Sequence, residues 1–192
     1  MGDPTAGRPL RADARRNRDR LLAEARAAFA EQGVETSLEQ IAGRAGVGIG
    51  TLYRHFPTRE SLLEALLRER FDALAGTAWD LRGHDRARDA LFRWAREFVA
   101  SSMTYRGLAG SLMATLHDET SALYASCHAM REAGAELLAR AQDSGEVRPD
   151  VTWPEVLGAL FGVACACERM PEEAGVRADR LLTMLFDGLG TR

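Results

Sequence analysis

Lysine is absent from this 192-residue chain, so all 25 of its basic side chains are arginines, set against 28 acids for a formal net charge of −3. With a sequence pI near 5.9, the chain is too acidic for a general nucleic-acid coat. Cysteine is scarce as well. Cys127, Cys165 and Cys167 are an odd number without zinc-type spacing, which excludes a disulfide framework and points to a reduced, cytoplasmic setting. Long apolar runs are lacking too: the longest, Val156 to Cys167, is a dozen residues, well short of the roughly twenty that span a bilayer. No signal-peptide pattern is read, and no membrane partner is expected. Period-two alternation is missing after residue 74, so strands are not expected. Signs of catalysis are equally thin. No glycine-rich phosphate loop follows a strand, and no ligand set stands at helical i, i+4 spacing. Adjacent helical residues diverge by about 100°, which keeps Cys127 from pairing with His128. Buried cysteine acting as a small hydrophobe is the better account of all three. We therefore expect no enzyme, no catalytic residue, no metal and no cofactor.

What is present is concentrated between Thr36 and Leu63, TSLEQIAGRAGVGIGTLYRHFPTRESLL. Ser37 can cap a helix beginning at Leu38, with Gln40 reaching back in the capping-box pattern. Leu38, Ile41, Ala42 and Ala45 form one apolar stripe, and Gly46 ends the helix by tolerating positive φ. After the turn Gly46-Val47-Gly48, a second helix fits Ile49 to Phe56 and stops at Pro57, which has no N–H to donate. Thr58 caps a further helix of about Thr58 to Ala78, with Leu62, Leu63, Leu66, Leu67, Phe71 and Leu74 on its buried side. Two short helices around a tight turn have the geometry that lays a recognition helix in the DNA major groove, although the same unit also occurs as plain packing. Chemistry favours DNA: Thr36, Ser37, Thr51, Tyr53, Arg54, His55 and Arg59 are donors clustered around the second helix. Gly48, Ile49, Gly50, Thr51 and Arg54 occupy its outward early part, with Arg54 placed to read guanine and Ile49 and Thr51 to touch thymine methyls.

This stretch resembles the N-terminal signature of the TetR family of one-component bacterial transcription regulators, over roughly residues 17 to 63. The resemblance is carried by Ile41-Ala42, Ala45-Gly46-Val47, Thr51-Leu52-Tyr53, His55-Phe56 and Arg59. Gly48 stands where the family often has a capping serine, and Arg59 where lysine is commoner. Upstream, Leu21, Leu22, Ala25, Ala28 and Phe29 mark a first helix of roughly Arg15 to Gln32, stopped by Gly33. Six arginines between Arg8 and Arg20 suit a flexible basic arm, residues 1 to 14, that follows the phosphate backbone. Charge is partitioned accordingly. Residues 1 to 59 hold ten arginines and seven acids, and the remainder is acidic.

The rest reads as helix throughout, giving an all-α chain of about nine helices: arm 1–14, DNA-binding domain 15–63, and a larger body 64–192 for effector binding and dimerisation. Stripes fall on Leu91 to Ser102, on Leu108 to Leu116 and on Leu123 to Leu138. The closing helices, about Trp153 to Arg169 and Val176 to Leu189, bear on assembly. Val156, Leu160, Phe161, Val163 and Ala164 surround the first, and Gly158 and Gly162 permit close approach. Burial is demanded on all sides. A second copy of the chain, met with Leu182, Leu185, Phe186 and Leu189, supplies it in one reading, and packing within one subunit in the other. The resemblance implies a homodimer on a palindromic operator in double-stranded DNA, most simply a repressor released by a small-molecule effector. It also implies a bacterial cytoplasmic protein, on the nucleoid when DNA-bound. The alternatives are an architectural DNA binder without effector and, further off, an enzyme with a DNA-binding N-terminus. Trp94, Phe98, Met103, Met113, Leu116, His117, Tyr124, Cys127, His128, Met130 and Phe161 are candidates to line an apolar effector pocket. Arg96, Arg106 and Arg131 could instead anchor an acidic ligand.

Overall fold

The computed structural model describes residues 7–103, 118–168 and 172–190, and eight α-helices run through them. The expected helix of Leu108 to Leu116, with Met113 and Leu116, lies outside the described residues, as do His117 and Arg106. The eight are α1 (Gly7–Gln32), α2 (Leu38–Arg44), α3 (Ile49–His55), α4 (Arg59–Leu81), α5 (Ala87–Met103), α6 (Ala122–Asp143), α7 (Trp153–Glu168) and α8 (Ala174–Leu189). Extended pairing among these residues amounts to an isolated bridge between Val147 and Gly190.

Helix α1 starts eight residues before the expected Arg15, so residues 7–14 of the expected arm are helical. Pro9 falls in the first turn, where its missing N–H would have no partner anyway, and nothing from Arg11 to Gln32 breaks a helix. Pairs of Asp13 with Arg16 and Asn17 with Arg20 add support one turn apart. Leu21, Leu22, Ala25, Ala28 and Phe29 are its buried stripe.

Helix α4 joins the two parts of the molecule. Thr58 caps it in a reciprocal box with Ser61, each donating a backbone N–H to the other's hydroxyl at 3.1 Å. Its apolar side, Leu62 to Ala78, is buried against α6 and α5. Ion pairs from Glu69 to Arg26 (2.9 Å) and Arg18 (3.8 Å) tie it to α1. At its far end Arg140 of α6 donates to the carbonyls of Leu81, the last residue of α4 (3.3 Å), and of His84 in the following turn (2.6 Å).

The body is built around α5, whose Trp94, Phe98 and Val99 are sealed from solvent between α4, α6, α7 and α8. At the start of α7, the Glu155 carboxylate accepts from both the N–H and the hydroxyl of Thr152 at 2.7 Å. Those bonds hold the Glu155 carboxyl below its ordinary range. One continuous core runs from α1 to α8. No helix among the described residues is long and apolar enough to cross a membrane.

Candidate nucleic-acid interface

The α2–turn–α3 unit is assembled by a few local choices. The Ser37 hydroxyl accepts the N–H of Gln40 at 3.4 Å and donates to the Glu39 carboxylate at 2.7 Å, so the cap is supported by Glu39 rather than by the expected reach of Gln40. That bond lowers the Glu39 carboxyl. Gly46 sits at φ +65°, a left-handed turn that a side chain would strain. Arg44 then fastens α2 to α1 through Glu24 (3.1 Å) and Glu31 (2.7 Å). Its guanidinium is held more firmly charged by both carboxylates, with Glu31 the larger influence.

Leu52 and Phe56 drive α3 into the core, which fixes the side it turns outward. Gly48, Gly50, Tyr53 and Arg54 are exposed, and Ile49, Thr51 and His55 are half-buried. Ile49 packs partly on the core, leaving a reduced surface for a thymine methyl. Tyr53 is 45% exposed, a large aromatic left facing water. Arg54 has no side-chain partner among the described residues. Gly48 and Gly50 leave the start of this face bare, since a Cβ added at either meets nothing within 4 Å.

Two expected donors have other work. Thr36 is buried, and its hydroxyl donates to the Gly33 carbonyl at 2.8 Å, so it cannot reach a phosphate in this conformation. Arg59 is half-buried with Nη1 donating to the carbonyls of Val34 and Thr36, both at 2.7 Å. It staples the α1–α2 loop to the start of α4. Sequence spacing has no signal for either bond, which depends on how the loop folds back over α4. Arg18 lies over the Phe56 ring at 5.7 Å and pairs with Glu69, so it too has intramolecular partners.

The body separates the other candidates. Trp94 and Phe98 are core residues, stacked at 5.4 Å, and Trp94 Nε1 donates to the Leu74 carbonyl of α4 at 2.9 Å. Met130 is buried. Tyr124, Cys127 and His128 share an open cleft of about 370 Å³ on α6 with Arg131 and Trp153. Burial pushes the Cys127 thiol up, against the opposing charges of Arg131 and Arg70. Met103 lines a different cleft, between α5 and α8. Arg96 is engaged there by Asp179 in a two-pronged pair at 2.7 and 2.9 Å.

The expected dimer surface needs correction. Val156, Leu160, Ala164, Leu182, Phe186 and Leu189 are already buried within a single protomer, which leaves them little surface for a second copy. Val163 and Leu185 are half-buried, and Phe161 alone of the nine is exposed, at 46%. The exposed residues of α7 and α8 include Gly158, Phe161, Gly162, Cys165, Val176 and Met184, with the polar Glu155, Arg180, Thr183 and Asp187 also turned to solvent. Val176 and Met184, about two turns apart, are 61% and 69% exposed, high values for apolar side chains. The sequence pattern shows an apolar circumference without showing which side α5 covers.

A capped two-helix unit with a bare outward helix, mounted on a long helix leading into an all-helical body, places the protein in the fold class of the helix-turn-helix regulators. Comparison with known proteins narrows the class. Residues 21–66 match the family model for bacterial regulatory proteins of the tetR family, and residues 86–191 match the C-terminal domain of SbtR-like transcriptional regulators. A TetR transcriptional regulator from Streptomyces coelicolor is 35% identical over 90% of this chain and 98% of its own, with TM-score 0.71. A TetR regulatory protein from Mycobacterium vanbaalenii is 34% identical over 95% of this chain and all of its own, with TM-score 0.70. HTH-type transcriptional regulators of Staphylococcus aureus are 41% identical over 64 residues, 33% of this chain, and the match spans about a third (35%) of those proteins. The chain belongs to the TetR family of bacterial transcriptional regulators.

Proposed function

We propose that the protein is a cytoplasmic, homodimeric repressor that binds a palindromic operator in double-stranded DNA and is released by a small-molecule effector. The observation that carries this reading is the outer face of α3. Two glycines at its start admit a base edge closely, and Thr51, Tyr53, Arg54 and His55 follow on the same short helix. Arg54 reads guanine, and Tyr53, His55 and Ser37 position the helix on phosphates. DNA binding occupies residues up to about 63, and the remainder forms the effector-binding and dimerising body.

In this reading the dimer forms across the outer face of α7 and α8. Gly158 and Gly162 let two copies of α7 approach closely, and Phe161, Val176 and Met184 supply the apolar area. A two-fold axis there sets two recognition helices about 34–36 Å apart, one turn of DNA. The effector acts through α4, which is clasped to α6 at one end and to α1 at the other, so tilting α4 changes that spacing. An effector must favour the wrong-spacing state by about 1–3 kcal/mol to release the operator.

The test is selection of bound duplexes from random DNA by the purified protein, at about 0.15 M salt to screen purely electrostatic binding. A palindrome with half-site centres one turn apart is expected. Enrichment of no sequence, or of a single unpaired half-site, overturns the dimeric reading.

A further inference from the structure

The cleft on α6 combines three features. Its inner wall is the Trp153 indole, whose Nε1 is buried and has no acceptor among the described residues. An unmet buried N–H is unfavourable, and because this one is closed to solvent, a ligand acceptor meets it only as the ring turns toward the cleft. Its rim carries Arg131, exposed and without a carboxylate partner among the described residues, because the adjacent Glu132 faces His128 at 3.3 Å. Its remaining lining includes the Tyr124 and His128 rings, 6.1 Å apart and inclined by 33°, with Cys127, Ala135 and the Glu132 carboxylate, which is turned to His128. A volume of about 370 Å³ suits a molecule of one or two fused rings.

The floor of this cleft is coupled to α4. Gly134 leaves α6 bare where the Trp153 ring lies, since a Cβ there would fall 2.3 Å from a ring carbon. Beyond Gly134 the Trp153 indole meets Trp94 at 5.5 Å. Trp94 in turn holds the Leu74 carbonyl of α4 through its indole N–H. A ligand that shifts the Trp153 ring therefore presses on a residue that hydrogen-bonds α5 to α4 from within the core, beside the more peripheral bonds of Arg70 to Ser101 and Ser102 and of Thr77 to Glu97.

We propose that this cleft is the effector site and that its ligand is a planar aromatic acid. The carboxylate pairs with Arg131, the Trp153 ring turns to give its N–H to a second oxygen, and that turn reaches α4 through Trp94. This rests on the proposed function in taking the body as the effector-binding part, and it adds the place and the chemical class.

The full-length protein, labelled with nitrogen-15, gives three indole N–H signals, from Trp79, Trp94 and Trp153, assigned by single Trp→Phe variants. Titration with 6-hydroxy-2-naphthoate is expected to move the Trp153 signal downfield in a saturable way, to shift Trp94, and to leave the exposed Trp79 in place. Arg131→Gln, a change at an exposed site, is expected to weaken binding at least about fivefold, the scale of one lost charge-assisted hydrogen bond. Uncharged 2-naphthol is expected to bind Arg131→Gln and the parent alike. No saturable shift at millimolar ligand, equal affinity of Arg131→Gln for the acid, or a shift centred on Trp79 would each overturn the assignment. DNA selection uses the ligand-free protein, so recovery of a palindrome alongside failure here rejects this cleft and leaves the regulator reading standing. Ligand binding without a recovered operator supports the site and rejects the repressor.

Discussion

Replacing Gly50 by alanine separates the fold of the recognition helix from its use, because the two effects have opposite signs. Gly50 lies in the first turn of α3 with ordinary negative φ, and a Cβ built on it meets nothing within 4 Å. Alanine is therefore accommodated without strain. Glycine costs about 0.5–1 kcal/mol relative to alanine inside a helix, and a first-turn position places the gain near the lower value, about 0.5 kcal/mol. For a cooperative unit of this size that corresponds to a rise in Tm of about 1–2 °C. On DNA the same methyl occupies the space between α3 and the base edges, and overpacking of a close contact costs about 1–3 kcal/mol. The assays are thermal unfolding by circular dichroism and operator binding by fluorescence anisotropy at fixed salt. A variant that is slightly more stable and about fivefold or more weaker on its operator fits the reasoning. Unchanged operator affinity would show that the start of α3 does not face the bases, and lowered stability would show that the space around Gly50 is not open.

Further predictions concern the rest of the interface and the body. Arg54→Ala should lose preference at one or two base pairs and cost about 1–3 kcal/mol there, read by competition with single-substituted operators. Met184→Asp, at an exposed position on α8, should leave helicity and Tm intact while shifting the protein from dimer to monomer in light scattering; a dimer that persists would move the interface elsewhere. Gly134→Ala drives a methyl into the Trp153 and Trp94 rings, at 2.3 and 3.0 Å. A clash of about 1–3 kcal/mol should outweigh the roughly 1 kcal/mol helix gain and lower the urea midpoint. Glu31 is held below its ordinary carboxyl range chiefly by its bond to Arg44. The pair's contribution is therefore present above the unfolded carboxyl pKa and lost as pH falls through the folded one. Arg44→Gln should accordingly destabilise at neutral pH and match the parent in acid, checked by urea melts at both.

Much of the recognition unit was legible because its signals are local. A cap at Ser37, a positive-φ glycine at 46, the stop at Pro57 and the cap at Thr58 each act within four residues of themselves, and the apolar period on α2 to α4 leaves one orientation for α3. The long helices of the body follow from the same periodicity. The amino acids alone thus determined an all-helical chain with a helix-turn-helix near its start and Tyr53 and Arg54 turned to solvent. Tertiary structure decided what depends on distant partners. Thr36 turned inward because the loop after α1 folds back on it, and Arg59 became a staple because two carbonyls of that loop lie within its reach. On α7, apolar residues all round leave direction undetermined. Packing against α5 and α8 buried Val156, Leu160 and Ala164 and left Gly158, Phe161 and Gly162 outside, so only the folded body could show which face is available to a second copy.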